Sequence, residues 1–233
     1  MKKNMPYVSC IVAAGGSGTR MGAGKNKLFL PLRGIPVIAH TLMALEKSDT
    51  ISEIVLSARE EDIMGLKHII DVFGIDKAKA VVRGGVHRAA SVKAALLCVS
   101  SQAELVAVHD GARPLIEETE IAAVVQKAKE VGAAAVGVRP KCTLKRADAS
   151  GRITETVPRA EIYEMQTPQV FEKSLLKKAY DVEETVLAAA TDDCSLVERL
   201  SASIYVTEGS YRNIKITTPE DISIAECLLE EMR

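Results

Sequence analysis

The chain has almost no surplus charge of either sign. Its 233 residues hold 30 Lys and Arg against 31 Asp and Glu, a net charge of −1. General electrostatic affinity for nucleic acid or an anionic membrane is therefore not expected. Long hydrophobic runs are missing too, and the apolar stretches are strand-length, too short for a membrane-spanning helix. The start, Met1-Lys2-Lys3-Asn4, is basic, but the short apolar run after it leads into a glycine-rich loop rather than a small-residue cleavage site. That argues against a secretory signal. Cys10, Cys98, Cys142, Cys194 and Cys227 are odd in number and far apart, with no C-x-x-C pair. This spacing argues against a disulfide framework or a zinc ribbon and fits reduced thiols in the cytoplasm. No Ser-His-Asp or Cys-His arrangement suggests a covalent nucleophile.

What is there is a regular alternation. Strand-like runs at Tyr7–Ala13, Ile51–Ser57, Ala80–Arg83, Leu105–His109 and Ala133–Val138 are separated by segments with helical periodicity at Pro36–Lys47, Glu60–Val72, His87–Val99 and Glu117–Val131. Several of the strands are almost wholly apolar, which implies burial on both faces. The expected fold is α/β and doubly wound, with a mostly parallel, Rossmann-like sheet, in one domain over 1–233. Such sheets bind ligands beyond the carboxyl ends of their strands. The alternation breaks at 141–159. There Thr143–Arg146 and Arg152–Val157 flank the turn Asp148-Ala149-Ser150-Gly151, giving an inserted β-hairpin arm. An isolated hairpin is marginal in water, so this one needs a surface to rest on. Beyond it, Glu172–Ala190 and Pro219–Met232 read as helices, with a strand near Ile204–Val206.

Four loops carry candidate chemistry. Ala13-Ala14-Gly15-Gly16-Ser17-Gly18-Thr19-Arg20 follows the first strand. Its glycines let backbone N–H groups approach a phosphate. It is not a dinucleotide fingerprint, because Met21 stands where the third glycine belongs. It is not a Walker A loop either, because Thr19 and Asn26 occupy required positions. What remains is a glycine loop followed by Arg20 and Lys27, a forked and a compact cation suited to a triphosphate. Gly84 and Gly85 precede a helix that carries Ser91, a second anion or base site. His109-Asp110-Gly111-Ala112-Arg113 ends a strand. Asp110 suits Mg²⁺, Arg113 a second anionic substrate, and His109 a structural place. Lys215 falls in an alternating strand ahead of a helix that Thr218 caps.

These loops together resemble one family. The pieces Ala-Ala-Gly-x-Gly-x-Arg-Met, Asn26-Lys27-Leu28, Gly84-Gly85-x-x-Arg88, His109 to Pro114, Gln166-Thr167-Pro168-Gln169, Thr191-Asp192-Asp193 and Asn213 to Thr217 occur in the order seen in 2-C-methyl-D-erythritol 4-phosphate cytidylyltransferases. The resemblance implies CMP transfer from CTP to that polyol phosphate with Mg²⁺, for isoprenoid precursor synthesis. It implies catalytic roles for Arg20, Lys27, Arg159 and Lys215. CTP would be held at Ala13, Ala14, Gly15, Gly16, Gly18, Gly84, Gly85 and Ser91. The substrate would meet Asp110, Arg113, Thr143 and Thr167, with Asp110 also at the metal. It further implies a homodimer in which the 141–159 arm completes the partner's site. Val86, His87 and Leu28 depart from residues common in the family. Two other readings stay open: a ribitol-5-phosphate cytidylyltransferase, and a CTP-binding module without turnover. Thr156-Val157-Pro158-Arg159 and the residues after it read as the methylerythritol type.

Overall fold

The first strand decides the layering. In β1 (Val8–Ala13), Cys10 and Val12 pack into one apolar layer and Ile11 into another, all fully buried. A strand buried on both faces belongs inside a sheet covered by helices. A computed structural model describes residues 5–16 and 26–231. It has a small β2 (Pro31–Leu32) and β3 (Ile35–Pro36), then α1 (Val37–Lys47), β4 (Glu53–Ala58), α2 (Ile63–Phe73), β5 (Ala78–Arg83), α3 (Arg88–Leu96), β6 (Leu105–Asp110), α4 (Glu118–Val131) and β7 (Ala133–Val138). The arm strands β8 (Leu144–Ala147) and β9 (Ile153–Val157) come next. Last are β10 (Glu164–Glu172), α5 (Lys173–Tyr180), α6 (Glu184–Ala189), α7 (Asp193–Glu198), β11 (Tyr205–Glu208) and α8 (Pro219–Glu231).

Seven strands form the main sheet in the order β11-β7-β10-β6-β1-β4-β5. Strand β10 runs antiparallel to both neighbours, and every other pairing is parallel. On one face α1, α2, α4 and α8 bury Leu42, Leu66, Val124 and Ala225 against Cys10, Val12 and Leu56. On the other, α3, α5, α6 and α7 bury Val92, Leu176, Leu187 and Val197 against Ile11, Val106 and Phe171. The expected mostly parallel, doubly wound α/β sheet is what forms. The carboxyl ends of β1, β4, β5 and β6 share one edge. Because β10 is reversed, its amino-terminal residues reach that same edge.

Two local expectations need correction, and one motif gains a place in the sheet. Lys215 is not in a strand. Residues 209–218 form an irregular loop fastened by Ile216 N donating to Ala112 O at 2.8 Å. The alternation of apolar Ile214 and Ile216 with polar neighbours comes from packing against the core, not from sheet pairing. The stretch Glu172–Ala190 is two helices, because the backbone leaves helical geometry at Asp181 (ψ 63°). The Gln166–Gln169 motif lies within a strand, β10, whose register shifts between Met165 and Gln169 around a cis Thr167–Pro168 bond.

Among the described residues no helix is long and apolar enough to cross a membrane. All five cysteines are free, and burial pushes the Cys10 thiol up to about 12. The core predicts the cost of emptying it. Phe171 is fully buried in the layer with Val106 and Ala133. Phe171→Ala should lower unfolding free energy by about 3–5 kcal/mol, read from urea titration.

Candidate active site

A cavity of about 390 Å³ opens at the carboxyl edge of the sheet. Its walls come from the loops after β1, β5 and β6 and from the C-terminal loop. Ala13, Gly15 and Gly16 line it on one side. Ala14 lies just behind, buried, its N–H donating to Ser57 O at 2.8 Å. The opposite wall is Gly85, Val86 and His87 at the start of α3. Gly84 N donates to Ala58 O at 2.7 Å, which ties this loop to the end of β4. Glycine is required at 85, since a Cβ there would stand 2.4 Å from Ala90 Cβ. Ser91 Oγ accepts from Gly85 N at 3.1 Å and so fixes the turn, while Ser91 itself lines the cavity. His87 caps α3: its Nδ1 accepts from Ala90 N at 3.1 Å, and its Nε2 meets Glu184 Oε1 at 2.8 Å. Gly15 and Gly16 facing a helix N-terminus suit an anion.

Asp110, at the end of β6, is 7% exposed and surrounded by cations. Lys215 Nζ lies 2.8 Å from its Oδ2, Arg88 Nε 3.3 Å from Oδ1, and Arg113 Nε 3.8 Å from Oδ2. Burial alone would raise the carboxyl pKa. Arg88, Lys215 and Arg113 outweigh it and hold Asp110 well below the usual carboxylate range. Arg88 reaches further, donating through Nη2 to the buried Asp193 at 2.8 Å. Burial works against its charge, but Asp193 and Asp110 keep it firmly protonated.

A buried polar layer supports Asp110 from below. Asp110 N donates to Thr167 Oγ1 at 3.0 Å. Thr167 Oγ1 is also 3.0 Å from His109 Nδ1, and His109 Nε2 is 3.3 Å from Arg113 O. One proton arrangement satisfies all three. The threonine hydroxyl donates to Nδ1, Nε2–H donates to the carbonyl, and the ring is neutral. Burial, and then the Arg113 charge, bring His109 down to about 4 against the pull of Asp110. Arg113 is itself buried and donates to Asn213 O at 2.6 Å, so it sits under the cavity rather than on its wall. Asn213 Nδ2 donates to Thr167 O at 3.0 Å, which locks the C-terminal loop to β10.

Lys27 lines the cavity from a short 3-10 turn, Lys27–Phe29. Asn26 caps that turn by accepting from Leu28 N at 3.1 Å. The Asn26 amide donates to Asp62 Oδ2 at 2.8 Å, and Arg59 Nε donates to the same oxygen at 2.7 Å. A three-residue brace thus fixes the base of the lysine.

The structure therefore gathers Ala13, Gly15, Gly16, Lys27, Gly85, Ser91, Asp110 and Lys215 at one cavity, with Ala14, Gly84, Arg113 and Thr167 behind it. Thr143 and Arg159 are elsewhere in the chain, exposed on the arm, where Arg159 Nη1 donates to Lys141 O at 2.8 Å. Gly18 and Arg20 lie outside the described residues. Sequence reasoning gave no role to Arg88 or to the Asn26–Asp62–Arg59 brace. The Gly84-Gly85-x-x-Arg88 spacing was the available signal for the first; nothing local marks the second. A larger hollow of about 780 Å³ lies at the opposite edge of the sheet. Glu104, Glu130 and Glu172 offset Lys129, Lys173 and Lys177 there, so it has no bias toward a polyanion.

Two outcomes follow from this geometry. His109 is neutral in the fold and titrates near 6.5 when unfolded, so its contribution is whole above pH 6.5 and is lost as pH falls through about 4. Stability should drop by about 3 kcal/mol over that window, and His109→Gln should flatten the drop in pH-dependent urea unfolding. Asn26→Ala should lower stability by about 1–2 kcal/mol through the lost cap and the weakened Asp62 brace, and should slow any reaction that uses Lys27.

Comparison with known proteins identifies the family. The family model for 2-C-methyl-D-erythritol 4-phosphate cytidylyltransferase matches residues 8–231. The enzyme of that name from Halalkalibacterium halodurans is 43% identical over 96% of this chain and 97% of its own. That from Alkaliphilus oremlandii is 39% identical over 99% and 98%. The crystal structure of 4-diphosphocytidyl-2C-methyl-D-erythritol synthase from Anaerococcus prevotii superimposes with a TM-score of 0.84 at 30% identity, covering 97% of each chain. The Thermus thermophilus cytidylyltransferase gives 0.78 at 30% identity, covering 96% and 99%. A match that spans sequence, fold and both chain lengths is more than a shared architecture, and this chain belongs to the 2-C-methyl-D-erythritol 4-phosphate cytidylyltransferase family.

Proposed function

We infer that the protein transfers CMP from CTP to 2-C-methyl-D-erythritol 4-phosphate, releasing pyrophosphate and forming 4-diphosphocytidyl-2-C-methyl-D-erythritol for isoprenoid precursors. The observation that carries the chemistry is a cavity lined by Lys27, Arg88, Lys215 and Asp110, with Arg88 and Lys215 paired to Asp110, between a glycine loop and a helix N-terminus. The acceptor's phosphate oxygen is already anionic near neutral pH, so no general base is needed. It bonds to the α-phosphorus of CTP as the bond from that phosphorus to the pyrophosphate oxygen breaks. The obstacle is bringing two anions together, and the protein's part is to screen and align them. Lys27 and Arg20 are assigned to the triphosphate, and Lys215 and Arg159 to the acceptor phosphate. Asp110 is, among the described residues, the one carboxylate on the cavity wall, which suits a Mg²⁺ that takes its other ligands from phosphate oxygens and water. When bound, that ion would neutralise charge on the triphosphate.

The arm belongs to the same proposal. Among the described residues strands β8 and β9 pair only with each other, and most of their residues are exposed. Arg139 over Tyr163 (3.9 Å) and Lys141 over Tyr211 (3.8 Å) fix its base. A homodimer would cover the hairpin and bring Thr143 and Arg159 to the partner's cavity.

The test is pyrophosphate release with CTP, Mg²⁺ and either 2-C-methyl-D-erythritol 4-phosphate or ribitol 5-phosphate. Release with the first acceptor alone is expected. Release with ribitol 5-phosphate alone would overturn the acceptor, and CTP binding without release would overturn the enzyme. Lys27→Ala and Arg20→Ala should each cost about 10²–10⁵ in rate. Mixing Lys27→Ala with Arg159→Ala protein should restore about one quarter of wild-type activity through mixed dimers, each with one complete site. No recovery would remove the arm from the site.

A further inference from the structure

Behind the cavity runs a second set of contacts, centred on the Thr191-Asp192-Asp193 motif to which the reaction gives no part. Asp193 is fully buried at the first turn of α7. Its Oδ2 accepts from Arg88 Nη2 at 2.8 Å and its Oδ1 from the Tyr180 hydroxyl at 2.5 Å. Its backbone N–H and that of Cys194 both donate to Gln169 Oε1, at 3.0 and 3.1 Å. Gln169 Nε2 in turn donates to Asp192 Oδ2 at 2.8 Å, and Asp192 Oδ1 caps the helix by accepting from Ser195 N at 2.9 Å. A buried carboxylate is costly unless paired and hydrogen-bonded. Here strand β10, α5 and α7 all contribute to holding it, and among the described residues its one ionic partner is Arg88.

Arg88 is the link forward. Its Nε lies 3.3 Å from Asp110 Oδ1 while Nη2 stays on Asp193, and the same side chain lines the cavity. The charges alternate along a line: Lys215, Asp110, Arg88, Asp193. Only a planar fork can serve two carboxylates in this way; a lysine ammonium is a single point. With Asp193 neutral, the nearest remaining anion for Arg88 would be Asp110, and that carboxylate would be drawn away from Lys215.

We propose that Asp193 is a positioning residue for the transfer, anchoring Arg88 from behind so that its guanidinium holds Asp110 in place and still faces the cavity. This rests on the cytidylyl-transfer reading above. The test is a double-mutant cycle on the full-length protein with Asp193→Asn and Arg88→Lys, read both as kcat/KM for CTP and as CTP affinity by calorimetry. Asp193→Asn should lower kcat/KM about 10- to 100-fold and weaken CTP binding about 3- to 10-fold, and add less than about threefold once Arg88 is Lys. Losses that multiply in both readouts, as a merely structural role would give, overturn the proposal; so does an unchanged Asp193→Asn. Tyr180→Phe keeps every charge and removes one bond to Asp193, so it carries the test if Asp193→Asn does not fold. A loss of about 2- to 5-fold that vanishes in the Arg88→Lys background supports the proposal, and an equal loss in both backgrounds overturns it. If the wild-type protein binds CTP but releases no pyrophosphate, the transfer reading fails, and the calorimetric cycle still decides whether Asp193 acts through Arg88.

Discussion

A carboxylate taken out of water at the end of a central strand stays ionised only if cations are brought to it, and Asp110 imposes that demand on four separate parts of the chain. Arg88 comes from the start of α3, Lys215 from the loop before α8 and Arg113 from the turn after β6, while Thr167 of β10 holds the Asp110 backbone. Sheet pairing of β10 with β6 and the bond from Ile216 N to Ala112 O bring two of these segments to the same place. The cations have the complementary problem: without Asp110 they would repel one another. In the transfer proposed above, a substrate phosphate would meet cations that Asp110 already holds in position.

The reversed strand makes this assembly possible. In a wholly parallel sheet, a strand next to β6 would send its amino end to the far edge. Running backward, β10 delivers Gln166 and Thr167 to the carboxyl edge and Gln169 to the base of α7. It therefore touches both polar layers. Thr167 supports Asp110 and His109, while Gln169 supports Asp193. The C-terminal loop closes over it through Asn213, which bonds to Thr167 O, and Gln166, whose amide donates to Ser210 O at 2.9 Å.

What the sequence made legible depended on whether a signal was local. The apolar runs of β1, β6 and β7 announced a covered parallel sheet, because a strand buried on both faces has no polar side to show. The glycine loops and the strand-end Asp110 pointed to the correct edge for the same reason: chemistry in this fold follows strand ends. Lys215 was misassigned to a strand because Ile214 and Ile216 mimic a pleat while anchoring a loop to the core. Strand β10 escaped notice because Thr167-Pro168 interrupts the pattern a strand needs. Pairs such as Arg88 with Asp193 and Asn26 with Asp62 are far apart in sequence and join only in three dimensions. The arm was visible as a hairpin, since its turn residues mark it without tertiary help.

The loop bearing Lys215 has a consequence for synthesis of the protein. Asp110 is translated early, and Arg88 earlier still, yet the lysine closest to that carboxylate arrives about a hundred residues later. A nascent chain can lay down β1, β4, β5 and β6 with their covering helices, but its buried acid then lacks one of its cations. A ribosome-bound intermediate would hold an unbalanced electrostatic core until the last segment wraps across Ala112. A chain that stopped before this segment would lack both the Lys215 charge at Asp110 and the loop's bond to Ala112.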